Sequence, residues 1–86
     1  MTILDVRTSE EYAAGHFEEA INFDVSLLLA GQLPAVDKEA PLIVYCRTGN
    51  RSETAKHILD KKGFSDVTDG GGLVDMQRAG YKPAKS

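Results

Sequence analysis

The sequence predicts an α/β fold in which a mostly parallel central sheet is flanked by helices. Segments typical of β-strands alternate with segments typical of helices along most of the chain. The run PLIVYC at residues 41–46 is apolar throughout, as expected for a strand that is covered on both faces. Gly15, Gly31 and Gly63 stand where the helical patterns end, which is the usual place for a glycine after a helix.

The first half of the chain is expected to contribute two strands, each followed by a helix. In order, these are a strand at residues 2–6, a helix at 9–14, a strand at 20–23 and a helix at 25–30. Thr8 and Glu11 have the spacing of a capping box, so they predict where the first helix begins. Asp24 is expected to cap the second helix, because a short acidic side chain accepts hydrogen bonds from the first free amides.

The second half is expected to continue this alternation after the apolar strand. The predicted elements are a helix that begins at residues 50–52 and ends at Gly63, a strand at 65–68, a turn at 70–72 and a helix at 73–80. Asn50 and Glu53 are expected to form a second capping box at the start of the long helix. Phe64 follows the glycine that ends this helix and is expected to fold back on it.

Composition indicates a chain with room for one core. Its 86 residues are 42% hydrophobic, so we expect one domain over residues 1–86, and we expect a monomer. The net charge is −3 without a long run of one sign, which argues against a nucleic-acid surface. No apolar segment approaches the ~18 residues of a membrane span, and Met1 leads directly into structured sequence. We therefore expect a cytoplasmic protein, or a periplasmic one if a leader has been removed.

The single cysteine, Cys46, ends the apolar strand and is followed by a polar loop. Ligands of open parallel sheets bind beyond the carboxyl ends of the strands, so Cys46 is expected to lie at a binding edge. One cysteine excludes an internal disulfide, and no set of metal ligands has a suitable spacing, so we expect no metal and no cofactor. The residues of the loop are Arg47, Thr48, Gly49, Asn50, Arg51 and Ser52.

The composition of this loop favours an ionised, reactive thiol. A free thiol has a pKa of about 8.5, and lowering that pKa by about two units needs about 2.7 kcal/mol. The N-terminus of the next helix and backbone amides that curl toward the sulfur can supply this stabilisation. Gly49 allows the curl, while Arg47 and Arg51 add positive potential for an anionic substrate. A lone cysteine after an apolar strand is more often an inert core residue, but a core cysteine needs none of these neighbours.

Three segments of the sequence resemble the signatures of rhodanese-type sulfurtransferases. CRTGNRS at residues 46–52 is similar to that family's active loop, C-R-x-G-x-R-[ST]. LDVRTSEEYAAGHFEEAINF at 4–23 is similar to D-V-R followed by E-[FY]-x-x-G-H-[IV]-x-G-A. GGGLVDMQRAGY at 70–81 is similar to G-G-x-x-x-W-x-x-A-G-Y. The three segments follow the order of the family and together extend from residue 4 to residue 81, and the chain is most similar to the family's small members of the phage-shock protein E type.

The resemblance implies a small rhodanese-like domain with sulfurtransferase activity. Cys46 would attack the outer sulfur of a donor such as thiosulfate and hold that sulfur as a persulfide. A thiol or cyanide would then accept it. The sequence departs from the family pattern at Phe17, at Glu18 and Glu19, and at Met76, which stands where a tryptophan is usual. These departures concern the packing around the site and not the nucleophile.

Two other functions stay open on sequence grounds. A persulfide carrier or sulfur-delivery module needs the same loop as an enzyme, so only donor and acceptor kinetics separate the two. A cysteine phosphatase also combines a cysteine, a backbone cradle and an arginine, but its loop is one residue longer. Four residues lie between Cys46 and Arg51, and the loop has no acid for a leaving alcohol, so a phosphatase is the more distant alternative.

Four other polar residues are expected to have no direct part in the chemistry. Asp5 and Arg7 stand at the end of the first strand, beside the expected site. We interpret them as a buried ion pair that supports this edge of the sheet. His16 is expected to form a hydrogen bond with a backbone group, and His57 is expected to face solvent.

Overall fold

The computed structural model describes residues 1–85, which form a four-stranded parallel sheet with helices on both faces. The strands are β1 (Thr2–Asp5), β2 (Ala20–Asn22), β3 (Leu42–Tyr45) and β4 (Val67–Gly71), and the helices are α1 (Ser9–Ala14), α2 (Val25–Leu29), α3 (Asn50–Lys61) and α4 (Leu73–Arg78). The strand order across the sheet is β2-β1-β3-β4. The predicted α/β fold with a parallel sheet is confirmed.

Strand β3 is buried along its whole length and divides the core into two apolar clusters. Its even-numbered residues pack against α2 and α3 on one face of the sheet. Its odd-numbered residues pack against Phe17 and against Met76 of α4 on the other face. Each large apolar side chain buried in this way contributes about 1.5–3 kcal/mol. Cys46 continues the even-numbered series, so the strand places its sulfur on the α3 side of the sheet.

Strand β4, expected at residues 65–68, begins at Val67 and extends through Gly71, so the turn expected at residues 70–72 is wrong. Gly70 and Gly71 belong to the strand. Val44 pairs with Asp69 and Tyr45 pairs with Gly71, so Gly70 is an extra residue of β4 at this shift of register. A Cβ on Gly70 would lie 2.6 Å from Sδ of Met76, so the strand needs glycine where α4 packs against it. The glycines of this segment therefore permit close packing, and the strand continues through Gly71 before α4 begins.

The three predicted helix caps have different outcomes. The box of Thr8 and Glu11 is confirmed, since the Glu11 N–H donates to Thr8 Oγ1 at 3.2 Å and the Thr8 N–H donates to Glu11 Oε1 at 3.1 Å. Asp24 caps α2 as predicted. The box of Asn50 and Glu53 is wrong, because Asn50 is already the first helical residue and no side chain of the N-cap residue bonds to α3.

The segment after α4 returns to the chain between α1 and β2. The Glu18 N–H donates to the Lys82 carbonyl at 2.8 Å, and the Ala84 N–H donates to the His16 carbonyl at 2.8 Å. Between these two bonds lies an antiparallel bridge between residues 17 and 83. The C-terminal segment is thereby fixed beside residues 16–18, which connect α1 to β2.

A buried carboxylate joins the ends of β1 and β3 to the segment after α1. Asp5 accepts hydrogen bonds from the Arg7 side chain, at 2.7 Å from Nη2, and from the Tyr45 hydroxyl at 2.8 Å. The same Arg7 nitrogen donates to the Gly15 carbonyl at 2.6 Å, and the Tyr45 oxygen accepts from the Phe17 N–H at 3.2 Å. Three parts of the chain that are distant in sequence therefore meet at one side chain.

Both donors to Asp5, the Arg7 guanidinium and the Tyr45 hydroxyl, keep the protons that they donate. The bond to Asp5 raises the pKa of the Arg7 guanidinium, which keeps the ion pair charged. Burial raises the pKa of the Tyr45 hydroxyl, which keeps its proton available for donation to Asp5. The side chain of Asp5 is fully buried and that of Arg7 is 6% exposed, so neither charge has water as an alternative partner.

We predict that Asp5→Asn lowers the free energy of unfolding by about 3–5 kcal/mol, because it leaves the buried Arg7 charge without a counter-ion. Tyr45→Phe removes one donor from the same carboxylate and the acceptor of the Phe17 N–H, but it leaves the ion pair intact and is expected to cost about 1.5–3 kcal/mol. Urea unfolding of both variants measures the difference. Equal losses for the two variants would show that the ion pair does not support this edge.

Candidate active site

The loop that follows β3 surrounds the sulfur of Cys46 with backbone amides. The Gly49 N–H donates to Sγ at 3.0 Å, and the Ser52 N–H donates to it at 3.3 Å. Cys46 itself is fully buried, so these amides replace the water that would otherwise solvate a thiolate. The geometry is that of a small anion cradle with the sulfur at its centre.

The sulfur also takes the place of the missing side-chain cap of α3. Gly49 is the N-cap residue and Ser52 is the third residue of the helix, whose N–H an N-cap side chain usually satisfies. Here that N–H is bonded to Cys46 Sγ, which comes from outside the helix. Gly49 has a φ of +107°, which a residue with a side chain adopts only with strain. The turn that aims the amides at the sulfur therefore depends on glycine.

The pKa of the Cys46 thiol is lowered by its surroundings. Burial alone raises this pKa, because it disfavours the charged form. Hydrogen bonds from the amide and hydroxyl of Ser52 and from the amides of Gly49 and Thr48 outweigh the effect of burial. The Ser52 hydroxyl lies 3.0 Å from the Gly49 carbonyl, to which it donates, and it can rotate to donate to the sulfur when the sulfur is charged.

The end of β4 supports this loop from below through backbone contacts. The Cys46 N–H donates to the Gly71 carbonyl at 2.9 Å, and the Leu73 N–H donates to the Arg47 carbonyl at 3.1 Å. Thr48 and Gly72 form an antiparallel bridge. A Cβ on Gly72 would lie 2.7 Å from the Arg47 carbonyl oxygen, so any side chain there would push the loop away.

The two arginines of the loop lie in different environments. Arg51 forms a two-pronged ion pair with Glu11 of α1, at 2.6 Å and 3.0 Å. This pairing lowers the pKa of Glu11 to about 2. Arg47 is exposed, and its side chain has no carboxylate partner among residues 1–85. Arg47 is therefore the cation of the loop that is available to a ligand, while Arg51 ties the loop to α1.

The other residues predicted for the site lie either at the exposed rim of the loop or beneath the neighbouring strand end. Thr48 and Asn50 are exposed at the rim of the loop. The ion pair of Asp5 and Arg7 lies beneath the neighbouring strand end and does not contact the sulfur. His16 Nδ1 lies 2.9 Å from the Tyr12 carbonyl, which is the backbone contact expected for it.

Sequence reasoning missed Glu11 as part of the site. It assigned this residue to the cap of α1, and the structure gives the carboxylate a second function as the partner of Arg51. The two residues are 40 positions apart, so no local pattern connects them. The available signal was that an arginine close to a buried thiol needs either a ligand or an acid as its partner.

A cavity of about 360 Å³ opens beside the loop. Arg47 and Leu73 border it on the side of the loop, and His16, Phe17 and Pro83 border it on the side of the C-terminal segment. The lining does not include Cys46, so the cavity is a neighbour of the cradle and not the cradle itself. Arg47 follows Cys46 in the chain and also lines the cavity, so it connects the two features.

Residues 1–85 contain no cluster of three or more His, Cys, Asp or Glu side chains that could hold a metal ion. Within the same residues, no helix has the length and apolarity needed to cross a membrane.

The combination of this loop with a parallel sheet can be compared with known protein families. Residues 1–78 match the family described as the rhodanese-like domain. The chain belongs to this family. Thiosulfate sulfurtransferase GlpE of Pseudomonas fluorescens is 38% identical to this rhodanese-like domain over 79 residues, which are 92% of this chain and 72% of that protein. Thiosulfate sulfurtransferase PspE of Escherichia coli is 38% identical over 76 residues, which are 85% of this chain and 71% of that protein.

One relative is much longer than this rhodanese-like domain. The adenylyltransferase and sulfurtransferase UBA4 of Saccharomyces cerevisiae is 41% identical over 76 residues, but the chain spans only 17% of its length. Among solved structures, a rhodanese with anions from E. coli superposes with a TM-score of 0.80 at 33% identity, over 99% of this chain and 98% of that one. The expected resemblance to small thiosulfate sulfurtransferases is confirmed.

We predict that alkylation of Cys46 by iodoacetamide titrates with a midpoint below the ~8.5 of a free thiol, because the cradle stabilises the thiolate. The rate is measured against pH by intact mass. Ser52→Ala keeps the backbone amides and removes the hydroxyl, so its midpoint is expected to lie between that of the wild type and that of a free thiol. A wild-type midpoint at or above ~8.5 would contradict the geometry of the cradle.

A second prediction concerns Glu11 and pH. Its folded pKa of about 2 lies below its ordinary value of 4.5, so its charge stabilises the fold above pH 4.5. That contribution is lost as the pH falls from 4.5 to about 2. Glu11→Gln keeps an acceptor for the cap of α1 but removes the charge, and it is expected to cost about 1 kcal/mol at neutral pH.

Thermal unfolding of wild type and Glu11→Gln at several pH values tests this prediction. The difference in Tm should be a few degrees at neutral pH and should shrink toward zero at low pH. Glu10→Gln makes the same change at the adjacent, exposed position and is the matched control. A difference that stays constant through the acid range would show that the charge of Glu11 is not its cause.

Proposed function

We propose that this rhodanese-like domain transfers a sulfane sulfur from thiosulfate, or from a persulfide donor, to a thiophilic acceptor through a persulfide on Cys46. The observation that carries the proposal is the pair of amides from Gly49 and Ser52 on a buried sulfur whose pKa is lowered. These hydrogen bonds favour the ionised form of the thiol, which is the nucleophilic form, and hold the sulfur in a fixed position. The similarity to two proteins named thiosulfate sulfurtransferase supports the choice of donor.

In the first half-reaction, the Cys46 thiolate attacks the outer sulfur of thiosulfate. A bond forms between Sγ and that sulfur, the sulfur–sulfur bond of thiosulfate breaks, and sulfite leaves with the electron pair. The terminal sulfur of the new persulfide carries the negative charge. Arg47, which is exposed and has no carboxylate partner within the described residues, attracts the dianionic donor and stabilises the charge of the departing sulfite.

In the second half-reaction, an acceptor such as cyanide or a thiol attacks the terminal sulfur of the persulfide. The acceptor forms a bond to this sulfur, and Cys46 leaves as a thiolate into the same ring of amides. Because the cradle favours the thiolate, it makes Cys46 a good leaving group as well as a good nucleophile. The two half-reactions give ping-pong kinetics.

A sulfur carrier is the second candidate. Its support is the match to a segment that makes up 17% of a protein whose name combines adenylyltransferase and sulfurtransferase activities. A carrier would load its persulfide as described above but would discharge it to small acceptors slowly. The rate of the second half-reaction therefore separates a carrier from an enzyme.

Intact mass after incubation with thiosulfate tests the proposed function. The wild type is expected to gain the mass of one sulfur atom and to lose it on addition of cyanide, with formation of thiocyanate. Arg47→Ala is expected to raise the KM for thiosulfate several-fold without a change in Tm, because it removes an exposed binding charge. Cys46→Ser is the control that forms no persulfide.

The same proteins are assayed with an aryl phosphate at neutral pH. The loop has one residue fewer than a phosphatase loop and no acid for the leaving alcohol, so little phosphate release is expected. Phosphate release that exceeds thiocyanate formation, with both abolished by Cys46→Ser, would overturn the sulfurtransferase proposal in favour of a cysteine phosphatase.

A further inference from the structure

The cavity beside the loop is too large for thiosulfate or cyanide to fill. Its volume of about 360 Å³ corresponds to about a dozen water molecules, each of which takes about 30 Å³ in the liquid. Thiosulfate has five heavy atoms and cyanide has two, and either would leave most of this space empty. The cavity also lies at the lower end of the size range of small-molecule binding pockets, about 300–1,000 Å³. Its size therefore fits an organic molecule.

One side of the cavity is apolar and fixed in place. Phe17, Pro83 and Ala84 contribute to this side. Phe17 is 3% exposed, and its neighbours in the C-terminal segment are held by the bridge at residues 17 and 83 and by the bond from the Ala84 N–H. Because this side is already ordered, it can contact the carbon skeleton of a ligand without an entropic cost for fixing its side chains.

The charges around the cavity favour an anionic group on that ligand. Three charged side chains line it, namely Arg7, Glu11 and Arg47. Arg7 is paired with Asp5, and Glu11 is paired with Arg51. Arg47 has no carboxylate partner among residues 1–85, so the lining has one uncompensated positive charge within the described structure.

We propose that this cavity binds the body of the sulfur acceptor, and that the acceptor is an organic thiol that carries a carboxylate. The carboxylate pairs with Arg47, the carbon skeleton lies on the apolar side, and the thiol reaches the cradle next to Arg47. This inference rests on the proposed sulfur transfer and specifies its second half-reaction. The acceptor thiolate forms a bond to the terminal sulfur of the persulfide, the bond from that sulfur to Cys46 Sγ breaks, and Cys46 leaves as a thiolate.

A single arginine can serve both half-reactions because they are separated in time. Arg47 attracts the donor, and sulfite then dissociates before the acceptor binds. The same guanidinium is afterwards free for the carboxylate of the acceptor. The cavity thus explains why the loop keeps one arginine unpaired while it ties the other to Glu11.

The test uses two acceptors that differ only in the group expected to contact Arg47. N-acetylcysteine has a carboxylate, and N-acetylcysteine amide has a neutral amide of the same shape. The persulfide form of the protein is prepared with thiosulfate, freed of donor, and mixed with each acceptor in single-turnover experiments. With each rate divided by the thiolate concentration, the carboxylate is expected to react about tenfold faster, as a charge-assisted contact would give. The preference should decrease with added salt.

A variant inside the cavity provides a second measurement. Gln77 is an exposed residue of α4 that lines the cavity, and Gln77→Glu places a negative charge there. The preference for N-acetylcysteine over its amide is expected to fall about fivefold in this variant. Gln32→Glu makes the same change in charge at an exposed position outside the cavity and should keep the wild-type ratio. The rate with cyanide is the internal reference for the persulfide itself.

The outcomes separate this inference from the function on which it rests. A persulfide that discharges to both acceptors at equal thiolate-corrected rates would overturn the inference and leave sulfur transfer intact. If no persulfide forms, binding is still measured with S-methyl-N-acetylcysteine, which has no free thiol, by NMR shifts of the amides of Leu73, Gln77 and Ala84. Shifts with this probe but not with its amide support the cavity assignment, and the absence of shifts with both probes overturns it.

Discussion

The carboxylate of Asp5 is the point at which the parts of this fold are joined. It holds the guanidinium of Arg7 and the hydroxyl of Tyr45, and through them it fixes the segment at residues 15–17 against the carboxyl ends of two neighbouring strands. The active-site loop leaves β3 directly after Tyr45, and the proposed acceptor cavity is bordered by residues 15–17. Both features therefore depend on a network that has no contact with the sulfur of Cys46.

A second set of contacts fixes the loop itself, and it consists almost entirely of backbone. The Gly71 carbonyl accepts from the Cys46 N–H, and Gly72 lies so close to the backbone of Arg47 and Thr48 that no side chain fits there. The Arg51–Glu11 ion pair holds the outer part of the loop against α1. Backbone amides are fixed by the fold and have no side-chain torsions. The two N–H groups that donate to Cys46 Sγ are therefore oriented before any substrate binds. The flexible side chain of Arg47 is left to meet reactants of different shapes.

The sequence was sufficient for those features that depend on neighbours along the chain. The alternation of strands and helices, the position of Cys46 after the central strand and the cap at Thr8 and Glu11 all follow from local patterns. Features that depend on close approach in space were missed or misread. The Arg51–Glu11 pair spans 40 positions, and the glycines at 70–72 looked like a turn because the packing against Met76 and the Arg47 carbonyl has no local signature. The cap of α3 was assigned to Asn50, since an acceptor outside the helix could not be identified from spacing.

The capping of α3 by Cys46 Sγ has a consequence for how such a domain can evolve. Catalytic residues commonly destabilise the fold that carries them, because their surroundings are built for reaction and not for stability. Here the sulfur of Cys46, the proposed nucleophile, satisfies an amide at a helix terminus, so the proposed activity and stability favour the same atom. A descendant that abandons sulfur chemistry must still supply a hydrogen-bond acceptor at this position. Replacement by an apolar residue leaves the buried Ser52 amide unsatisfied, whereas a side chain that accepts its hydrogen bond keeps the cap without the thiol.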